Sequence, residues 1–335
     1  MYVLNPAYFR TLGINPTTVD PRTIKIFGNG GKEIPEDVQQ VRPNDLVEDA
    51  IFVQGESDGR FDEGDYALFF AKSVRNWVYD TVAHTLVHYI NHYTELNYYW
   101  LTFNGANGKR MQVQPSLTDA PVLTPTQFQD GVFFENELVN IHQSGKDWYG
   151  QPYVAGANQS YPSLLPGLVP NDVVHYSFRL LAQSSDLASF EVKQGSALLG
   201  EFSPSYPNNA NPSDFIVNAS GSSNIANGIS NLSFTFHSSN LAAQGWNDWI
   251  EIKYPRAFQS VGNYLRFRSP DNTTGVVQYN LDQFSSTPVI MDVTHPEEIR
   301  LITGAVGTSR YACAACANER SASERFPGAG GGGDL

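Results

Sequence analysis

The amino-acid sequence predicts a mostly β protein with two β-rich domains, the second an antiparallel β-sandwich, and a disordered C-terminal tail. Three observations favour this fold class. Aromatic residues make up 13% of the 335 residues and charged residues only 16%, and glycine and proline are frequent. That composition is typical of strands joined by turns. Many short segments alternate apolar and polar residues, and they follow one another without helical patterns between them.

The strand candidates of the first half are short and end in turn sequences. They are the segments 23–27, 50–54, 65–71 and 97–103. The last of them is rich in aromatic residues and runs into NGANGK, a hairpin-like turn. The stretch 114–127 is rich in proline and threonine and is the predicted linker, so we expect the first domain to cover residues 1–115.

Alternation is cleaner in the second half. One predicted strand face carries Val174, Tyr176, Phe178, Leu180 and Ala182, and the opposite face carries His175, Ser177 and Arg179. Similar period-two patterns occur in 231–237, 247–254 and 263–268, and the segment 288–293 closes the series. Strands at this spacing predict an antiparallel sandwich over residues 116–303. One segment, 128–143, places Phe133, Leu138 and Ile141 near helical spacing and is a weak helix candidate.

The last part of the chain, residues 304–335, has a different composition. It is built from alanine, glycine, serine and arginine, and it contains both cysteines, Cys313 and Cys316. Ordering a residue costs about 1–2 kcal/mol of backbone entropy, and this segment offers few large apolar side chains to offset it. We therefore expect a disordered tail. A redox or zinc site at the two cysteines would require ordered surroundings, and zinc would require two further ligands.

Charge and hydropathy exclude several classes of protein. The net charge of −13 argues against binding to nucleic acid or to an anionic membrane surface. No apolar run approaches 18 residues, so we expect no membrane span. The first residues carry neither a basic nor an apolar region, so we expect no signal peptide in the chain as written.

The acidic sequence GESDGRFDEGD is the candidate cation site. Its proposed ligands are Glu56, Asp58, Asp62 and Asp65. Calcium prefers several oxygen ligands, and the spacing partly resembles an EF-hand loop, although the first ligand position would fall on Gln54, which carries no charge. The alternative is a tight polar hairpin in which aspartates cap backbone amides. We expect no other cofactor.

Two further groups of side chains have a functional and a structural interpretation. His84, His88 and His92 are spaced by four, so on a helix they would lie near one face and could bind a metal. Their β-branched and aromatic neighbours favour a strand instead, and we expect no metal site there. Trp148, Tyr149, Trp246 and Trp249 are candidates for a sugar-stacking surface. We favour packing for these rings, because large aromatics dominate core burial.

Six segments, in this order, resemble the region that precedes the peptidase domain of PorU-like sortases, which are gingipain-type cysteine peptidases of the type IX secretion system. The segments are 19–36, 45–71, 88–103, 133–153, 245–256 and 288–298. The resemblance covers about residues 1–303 and implies a β-rich, non-catalytic region. In that family a caspase-like domain with the catalytic histidine and cysteine follows. We match no residue of this chain to either, and His295 corresponds to a loop.

The resemblance also implies a role, a location and partners. The whole family enzyme cleaves C-terminal sorting signals from secreted cargo. This chain would then be a scaffold and interaction region at the outer-membrane cell surface, inactive alone as a peptidase. Its partners would be other secretion-system components and secreted cargo proteins. The alternative from another class is a secreted glycan-binding or adhesive sandwich module, which exposed, coplanar tryptophans would favour.

Overall fold

The structure is a computed structural model that describes residues 1–80, 82–206, 208–271, 273–304, 310–315 and 319–324. The chain divides into two compact units. Unit 1 contains Met1–Asn76, Tyr89–Thr126 and the described residues from Phe258 onward, and unit 2 contains Trp77–His88 and Gln127–Ala257. The fold is mostly β, as the sequence predicts.

The described part of the chain contains one α-helix, α1 (Pro6–Thr11), which begins after Asn5. The side chain of Asn5 accepts a hydrogen bond from the Tyr8 amide at 2.8 Å, so it caps the first turn. The short 3₁₀ helices are Pro16–Thr18, Pro21–Thr23, Glu56–Asp58, Ala226–Gly228 and Pro296–Glu298. The strands of the first 115 residues are β1 (Tyr2–Leu4), β2 (Lys25–Gly28), β3 (Val47–Asp49), β4 (Phe52–Gln54), β5 (Tyr66–Phe69), β6 (Arg75–Asp80), β7 (Thr85–Ile90), β8 (Trp100–Thr102) and β9 (Gln112–Pro115).

Unit 1 begins with two small antiparallel sheets. Their strand orders are β1-β5-β4 and β3-β2-β8. A shared apolar cluster fills the space beside them, and its buried members include Phe9, Ile24, Ile26, Ile51 and Phe61. The strand candidates 23–27, 50–54, 65–71 and 97–103 are thus confirmed by β2, β4, β5 and β8.

Unit 2 contains the sandwich. Its strands are β10 (Gln127–Glu135), β11 (Tyr153–Val154), β12 (Asn158–Leu164), β13 (Val173–Gln183), β14 (Ala188–Gln194), β15 (Ala197–Phe202), β16 (Ser213–Ser222), β17 (Ile229–Ser238) and β18 (Gln244–Ala257). One sheet has the order β10-β18-β13-β16, with β11 also paired to β18, and the other has the order β12-β17-β14-β15. All these pairings are antiparallel.

The sandwich core lies between these two sheets and follows the predicted alternation. Val174, Phe178 and Leu180 of β13 are fully buried, and they pack in one cluster with Phe190 of β14 and Phe234 of β17. Burying each such side chain contributes about 1.5–3 kcal/mol. The inward-facing rows that the sequence predicts for β13, β17 and β18 are therefore confirmed.

The weak helix candidate at 128–143 was wrong, because β10 occupies its first half. Both faces of β10 are covered, because nearly all of its residues are partly buried. Val132 and Phe134 pack against the sandwich core, while the opposite face carries Phe133, which contacts Trp77 and His88. A strand that is covered on both sides loses the polar half of its period-two pattern, and this explains the error.

The remaining strands of unit 1 follow the sandwich in sequence. They are β19 (Tyr264–Arg268), β20 (Val277–Asp282), β21 (Pro288–Asp292), β22 (Arg300–Thr303), β23 (Arg310–Ala315) and β24 (Glu319–Glu324). One sheet has the order β19-β24-β21-β22-β9, in which β22 runs parallel to β9, and β20 pairs with β23. The division therefore differs from the expected domains 1–115 and 116–303. The residues after 257 pair with β9 of the first segment, and no local pattern reveals such a long-range pairing.

The segment 304–335 was expected to be disordered on its composition. The backbone of β23 and β24 is instead paired in strands, β23 with β20 and β24 between β19 and β21. Pairing with strands from earlier in the chain gives these short segments backbone hydrogen bonds that a composition argument does not count. Residues 305–309, 316–318 and 325–335 lie outside the described residues, and disorder there stays a prediction.

Candidate functional site

The acidic turn at residues 55–65 depends on two glycines. Gly55 and Gly59 have φ angles of +87° and +76°, and the 3₁₀ helix Glu56–Asp58 lies between them. A Cβ atom on Gly55 would lie 1.7 Å from Oδ1 of Asp65. Glycine is therefore needed at this position both for the left-handed backbone and for the room that the carboxylate takes.

The carboxylates predicted to bind calcium have protein partners. Glu56 Oε2 accepts a hydrogen bond from Arg110 Nε at 2.8 Å. Asp58 accepts from the backbone N–H two residues further on at 3.0 Å, and Asp65 Oδ2 accepts from the backbone N–H of Asp62 at 2.8 Å. These contacts are those of a polar hairpin. The four residues do not form a group of three ligands within 4.8 Å in the described part of the chain, and calcium binding stays a prediction.

The three histidines spaced by four contact different partners. His84 lies in the turn before β7, His88 in β7 and His92 just after it, so the strand interpretation is confirmed. His92 Nδ1 lies 2.7 Å from Oε1 of Glu33. His88 instead belongs to a buried cluster in unit 2.

His88 lies between two carboxylates. Its Nδ1 is 2.7 Å from Glu251 Oε1, and its Nε2 is 3.3 Å from Glu135 Oε2. Its backbone N–H also donates to Glu251 Oε1 at 2.9 Å. The rings around the imidazole are those of Trp77, Phe133 and Trp249. We call these six residues the His88 cluster.

The registers of the strands explain why these residues meet. In the antiparallel pair of β10 and β18, Phe133 is opposite Glu251 and Glu135 is opposite Trp249. Alternate residues of a strand share a face, and cross-strand partners lie about 5 Å apart. The four side chains therefore form one patch on the face of the sheet away from the sandwich core. Residues 77–88, which form the outer part of the hairpin β6–β7, supply Trp77 and His88 to it.

The charges of the cluster compensate one another. Burial alone would lower the pKa of His88, but the hydrogen bonds to Glu135 and Glu251 outweigh burial and raise it to about 9. Burial would raise the pKa of Glu251, but His88 and Lys253, whose Nζ is 2.9 Å from Oε2, lower it overall. Because the imidazolium is nearly enclosed, the cluster is suited to holding the hairpin on the sheet through a buried ion pair.

A group of three carboxylates that the sequence analysis missed lies beside this cluster. Oxygens of Glu135, Glu137 and Asp248 lie within 4.8 Å of one another. Glu135 contacts His88, and Asp248 Oδ2 lies 2.8 Å from Arg179 Nη1. The arrangement is therefore part of an ion-pair network, and Asp248 is too distant in sequence from the two glutamates for spacing to predict the group.

Arg179 connects several carboxylates at the end of this face. Its guanidinium donates to Asp147 at 2.9 Å, to Asp214 at 2.8 Å and to Asp248 at 2.8 Å. It also lies over the ring of Tyr149, 5.7 Å from the centroid. Burial raises the pKa of Asp248 to about 6 although Arg179 opposes the shift. The predicted outward position of Arg179 on β13 thus serves ion pairing.

The candidate sugar-stacking aromatics mostly pack inside unit 2. Tyr149 and Trp246 are buried in one small cluster with Leu181, and Trp249 belongs to the His88 cluster. Trp148 alone has substantial exposure, at 36%. The four rings do not form an open platform, and the packing interpretation is favoured.

Of the two cysteines, only Cys313 lies in the described part of the chain. The backbone of Cys313 lies in β23 opposite Tyr279 of β20, and Cys316 lies outside the described residues. His295 precedes the 3₁₀ helix Pro296–Glu298. Across the described ranges, no helix has the length and apolar character needed to cross a membrane.

Comparisons with known proteins identify the fold. No protein-family model matches the chain, and no curated protein matches it. Among solved structures, the chain is similar to dimeric latent PorU from Porphyromonas gingivalis, with a TM-score of 0.78 and 18% sequence identity. The alignment covers 96% of this chain and 31% of the PorU chain. A second match is the insecticidal delta-endotoxin Cry8Ea1 from Bacillus thuringiensis, with a TM-score of 0.25 and 14% identity over 72% of this chain and 43% of that one. This TM-score is too low to indicate a shared fold. The chain therefore has a PorU-like fold and spans about a third of the length of the PorU chain.

Proposed function

We propose that this chain is a non-catalytic scaffold and interaction region of a gingipain-family cell-surface cysteine peptidase, a type IX secretion sortase that cleaves C-terminal sorting signals from secreted cargo. The observation that carries the proposal is the match to PorU, which spans 96% of this chain but only 31% of the PorU chain. The six segments that resemble PorU-like sortases support the same assignment. A chain that matches a third of an enzyme is expected to supply part of its architecture.

The chemistry of the described residues supports a scaffold. His88 is enclosed by two carboxylates and three rings, whereas a catalytic base must reach its substrate. Arg179 is held by three aspartates. These polar groups fix strands and a hairpin, which is what a region that positions other domains requires.

The location and the partners follow from the same assignment. The protein acts at the outer-membrane cell surface and contacts other secretion-system components and secreted cargo. A net charge of −13 favours partners with basic surfaces and gives no support to nucleic-acid binding. A glycan-binding role has less support, because Tyr149 and Trp246 are buried.

The proposal is tested first with the purified chain and a fluorogenic peptide that carries a C-terminal sorting signal, in the presence of a thiol reductant. We expect no cleavage above the buffer background, because no catalytic histidine and cysteine were matched in this chain. The matched control replaces both cysteines, Cys313→Ala with Cys316→Ala. Cleavage by the parent chain that this double variant lacks would contradict the scaffold assignment.

A further inference from the structure

The loop between β8 and β9 contains the turn sequence NGANGK, which holds two of the four Asn–Gly pairs of the chain, at Asn104 and Asn107. The other two pairs begin at Asn29 and Asn227. An asparagine before a glycine can convert to aspartate without an enzyme, because glycine has no side chain to hinder its own backbone nitrogen. The four pairs share this local sequence, so their surroundings in the fold decide which of them reacts.

The conversion needs only the two residues of the pair and water. The backbone nitrogen of the glycine attacks Cγ of the asparagine and closes a succinimide ring, while the side-chain amide group takes the proton of that nitrogen and leaves as ammonia. Water then opens the ring at either carbonyl, which gives aspartate or isoaspartate. A hydrogen bond that holds the glycine N–H or the asparagine carboxamide in place must break before the ring can close, and this slows the reaction.

The pair at Asn107 is protected by its glycine. The N–H of Gly108 donates to the Arg22 carbonyl at 2.9 Å. The backbone there is also packed tightly, since a Cβ atom on Gly108 would lie 2.2 Å from the carbonyl oxygen of Ile24. The attacking nitrogen therefore becomes available only when the loop opens locally.

The pairs at Asn227 and Asn29 are also held by hydrogen bonds. The N–H of Gly228 donates to the Ile225 carbonyl at 3.2 Å, which engages the attacking nitrogen. At Asn29 the side chain is held instead, because its Oδ1 accepts a hydrogen bond from the N–H of Gly31 at 3.2 Å. We therefore expect weaker protection at Asn29 than at the other protected pairs.

Asn104 and Gly105 differ from these three pairs. Both residues are exposed. In the described ranges, neither the side chain of Asn104 nor the N–H of Gly105 makes a hydrogen bond, and a Cβ atom on Gly105 would meet nothing within 4 Å. The backbone N–H of Asn104 is fixed, since it donates to Thr23 Oγ1 at 2.9 Å, but the reacting groups follow it in the chain.

We propose that Asn104 is a site of spontaneous deamidation in the folded chain, through a succinimide with Gly105, and that the fold protects the other three Asn–Gly pairs. The product places a negative charge in the loop after β8, and isoaspartate also lengthens the backbone of that loop by a carbon atom. This inference does not depend on the sortase assignment.

The test incubates the full chain in mildly alkaline buffer made with heavy-oxygen water, in one sample folded and in another unfolded in urea. The water that opens the ring leaves its oxygen in the new carboxyl group. Because all later steps use ordinary water, the label marks only the deamidation that occurs during the incubation. Circular dichroism establishes that the first sample stays folded.

Tryptic peptides are then sequenced by mass spectrometry, and the rate at each asparagine in the folded chain is divided by its own rate in urea. Asn104 and Asn107 lie in the same tryptic peptide, 76–109, so they are compared under identical conditions. We expect the ratio for Asn104 to exceed those for Asn107 and Asn227 about tenfold or more, with Asn29 between them. A ratio for Asn104 that does not exceed the other three would overturn the proposal.

Ion-exchange chromatography of the intact chain gives a second readout, because deamidation adds a negative charge. The variant Asn104→Gln should lose the acidic species that the parent forms first, since glutamine closes such a ring much more slowly. The matched variant Asn107→Gln should form that species as the parent does. An early acidic species that persists in Asn104→Gln would also overturn the proposal.

Discussion

The indole of Trp77 lies directly over the backbone of Gly131. Trp77 Nε1 donates a hydrogen bond to the Gly131 carbonyl at 3.0 Å. A Cβ atom on Gly131 would lie only 2.6 Å from the Cζ2 atom of the indole. The missing side chain in β10 is therefore what allows Trp77 to lie against the strand and close one side of the His88 cluster.

Replacing Gly131 with alanine should destabilise unit 2. The methyl group forces the indole away and weakens its hydrogen bond, which should cost about 1–3 kcal/mol of unfolding free energy. Urea unfolding followed by tryptophan fluorescence measures this, because four of the five tryptophans, all except Trp100, lie in unit 2. The control is Gly145→Ala, where a Cβ atom meets nothing within 4 Å. Equal effects of the two substitutions would contradict the packing described for Trp77.

The His88 cluster should give unit 2 a pH-dependent stability. The pKa of His88 is raised to about 9 in the folded chain, compared with about 6.5 in an unfolded chain. The stabilisation is thus complete below about pH 6.5 and is lost as the pH rises through 9. For a pKa shift of this size, we expect the unfolding free energy of unit 2 to fall by roughly 3 kcal/mol across that pH window.

The variant His88→Gln isolates this contribution. Its unfolding free energy should change less than that of the parent between pH 6.5 and 9, and it should be lower than the parent's at pH 6.5. The exposed His237 of β17 provides the matched control, His237→Gln. A parent and a His88→Gln variant with parallel pH profiles would show that His88 is not held as an imidazolium.

Asp49 should lower the stability of unit 1 at neutral pH, whereas His88 raises the stability of unit 2. Burial raises its pKa to about 6, and Glu297 adds to the shift. Because the folded pKa is above the unfolded value of about 3.9, the contribution to stability is complete below about pH 4 and is lost as the pH rises through 6. At pH 7.5 the ionised, buried carboxylate costs up to about 3 kcal/mol.

The unfolding free energy of Asp49→Asn should therefore change less than that of the parent between pH 4 and 7. Relative to the parent, the substitution should stabilise unit 1 more at pH 7.5 than at pH 4. Amide hydrogen exchange of unit 1 measures this locally. The exposed Asp119 gives the control Asp119→Asn, which should leave the profile as it is. A pH profile that Asp49→Asn does not change would contradict the raised pKa.

The calcium hypothesis for the acidic turn has a direct thermal test. A cation would have to compete with Arg110 for Glu56 and with two backbone amides for Asp58 and Asp65. We expect binding no tighter than about millimolar, which stabilises the native state by about 0.4 kcal/mol at one millimolar calcium and raises Tm by about 1 °C. A rise of several degrees that Asp58→Asn abolishes would instead establish a calcium site.

The sequence predicts the sandwich better than it predicts the site. Val174, Phe178 and Leu180 alternate with polar residues because one face of β13 packs in the core and the other does not. Around β10 the same logic fails, since Phe133 and Phe134 are covered on opposite faces. Period-two patterns disappear wherever a second layer covers a sheet.

The His88 cluster could not be predicted from spacing. His88 and Glu251 are 163 positions apart, and nothing in the neighbouring sequence of either residue indicates the other. The parallel pairing of β22 with β9 and the insertion of β24 between β19 and β21 are long-range in the same way. Local sequence reports which face of a strand is buried, while partners that are distant in sequence are set by the tertiary fold.

The proposed scaffold role in sorting-signal removal is tested most directly in cells that carry this gene, by mass spectrometry of the C-termini of secreted cargo. The codons for residues 127–257 are excised in frame, and a second strain receives the intact gene in addition. We predict that cargo keeps its C-terminal signals in the excised strain and loses them again on complementation. Cargo that is processed normally without the sandwich would contradict the account.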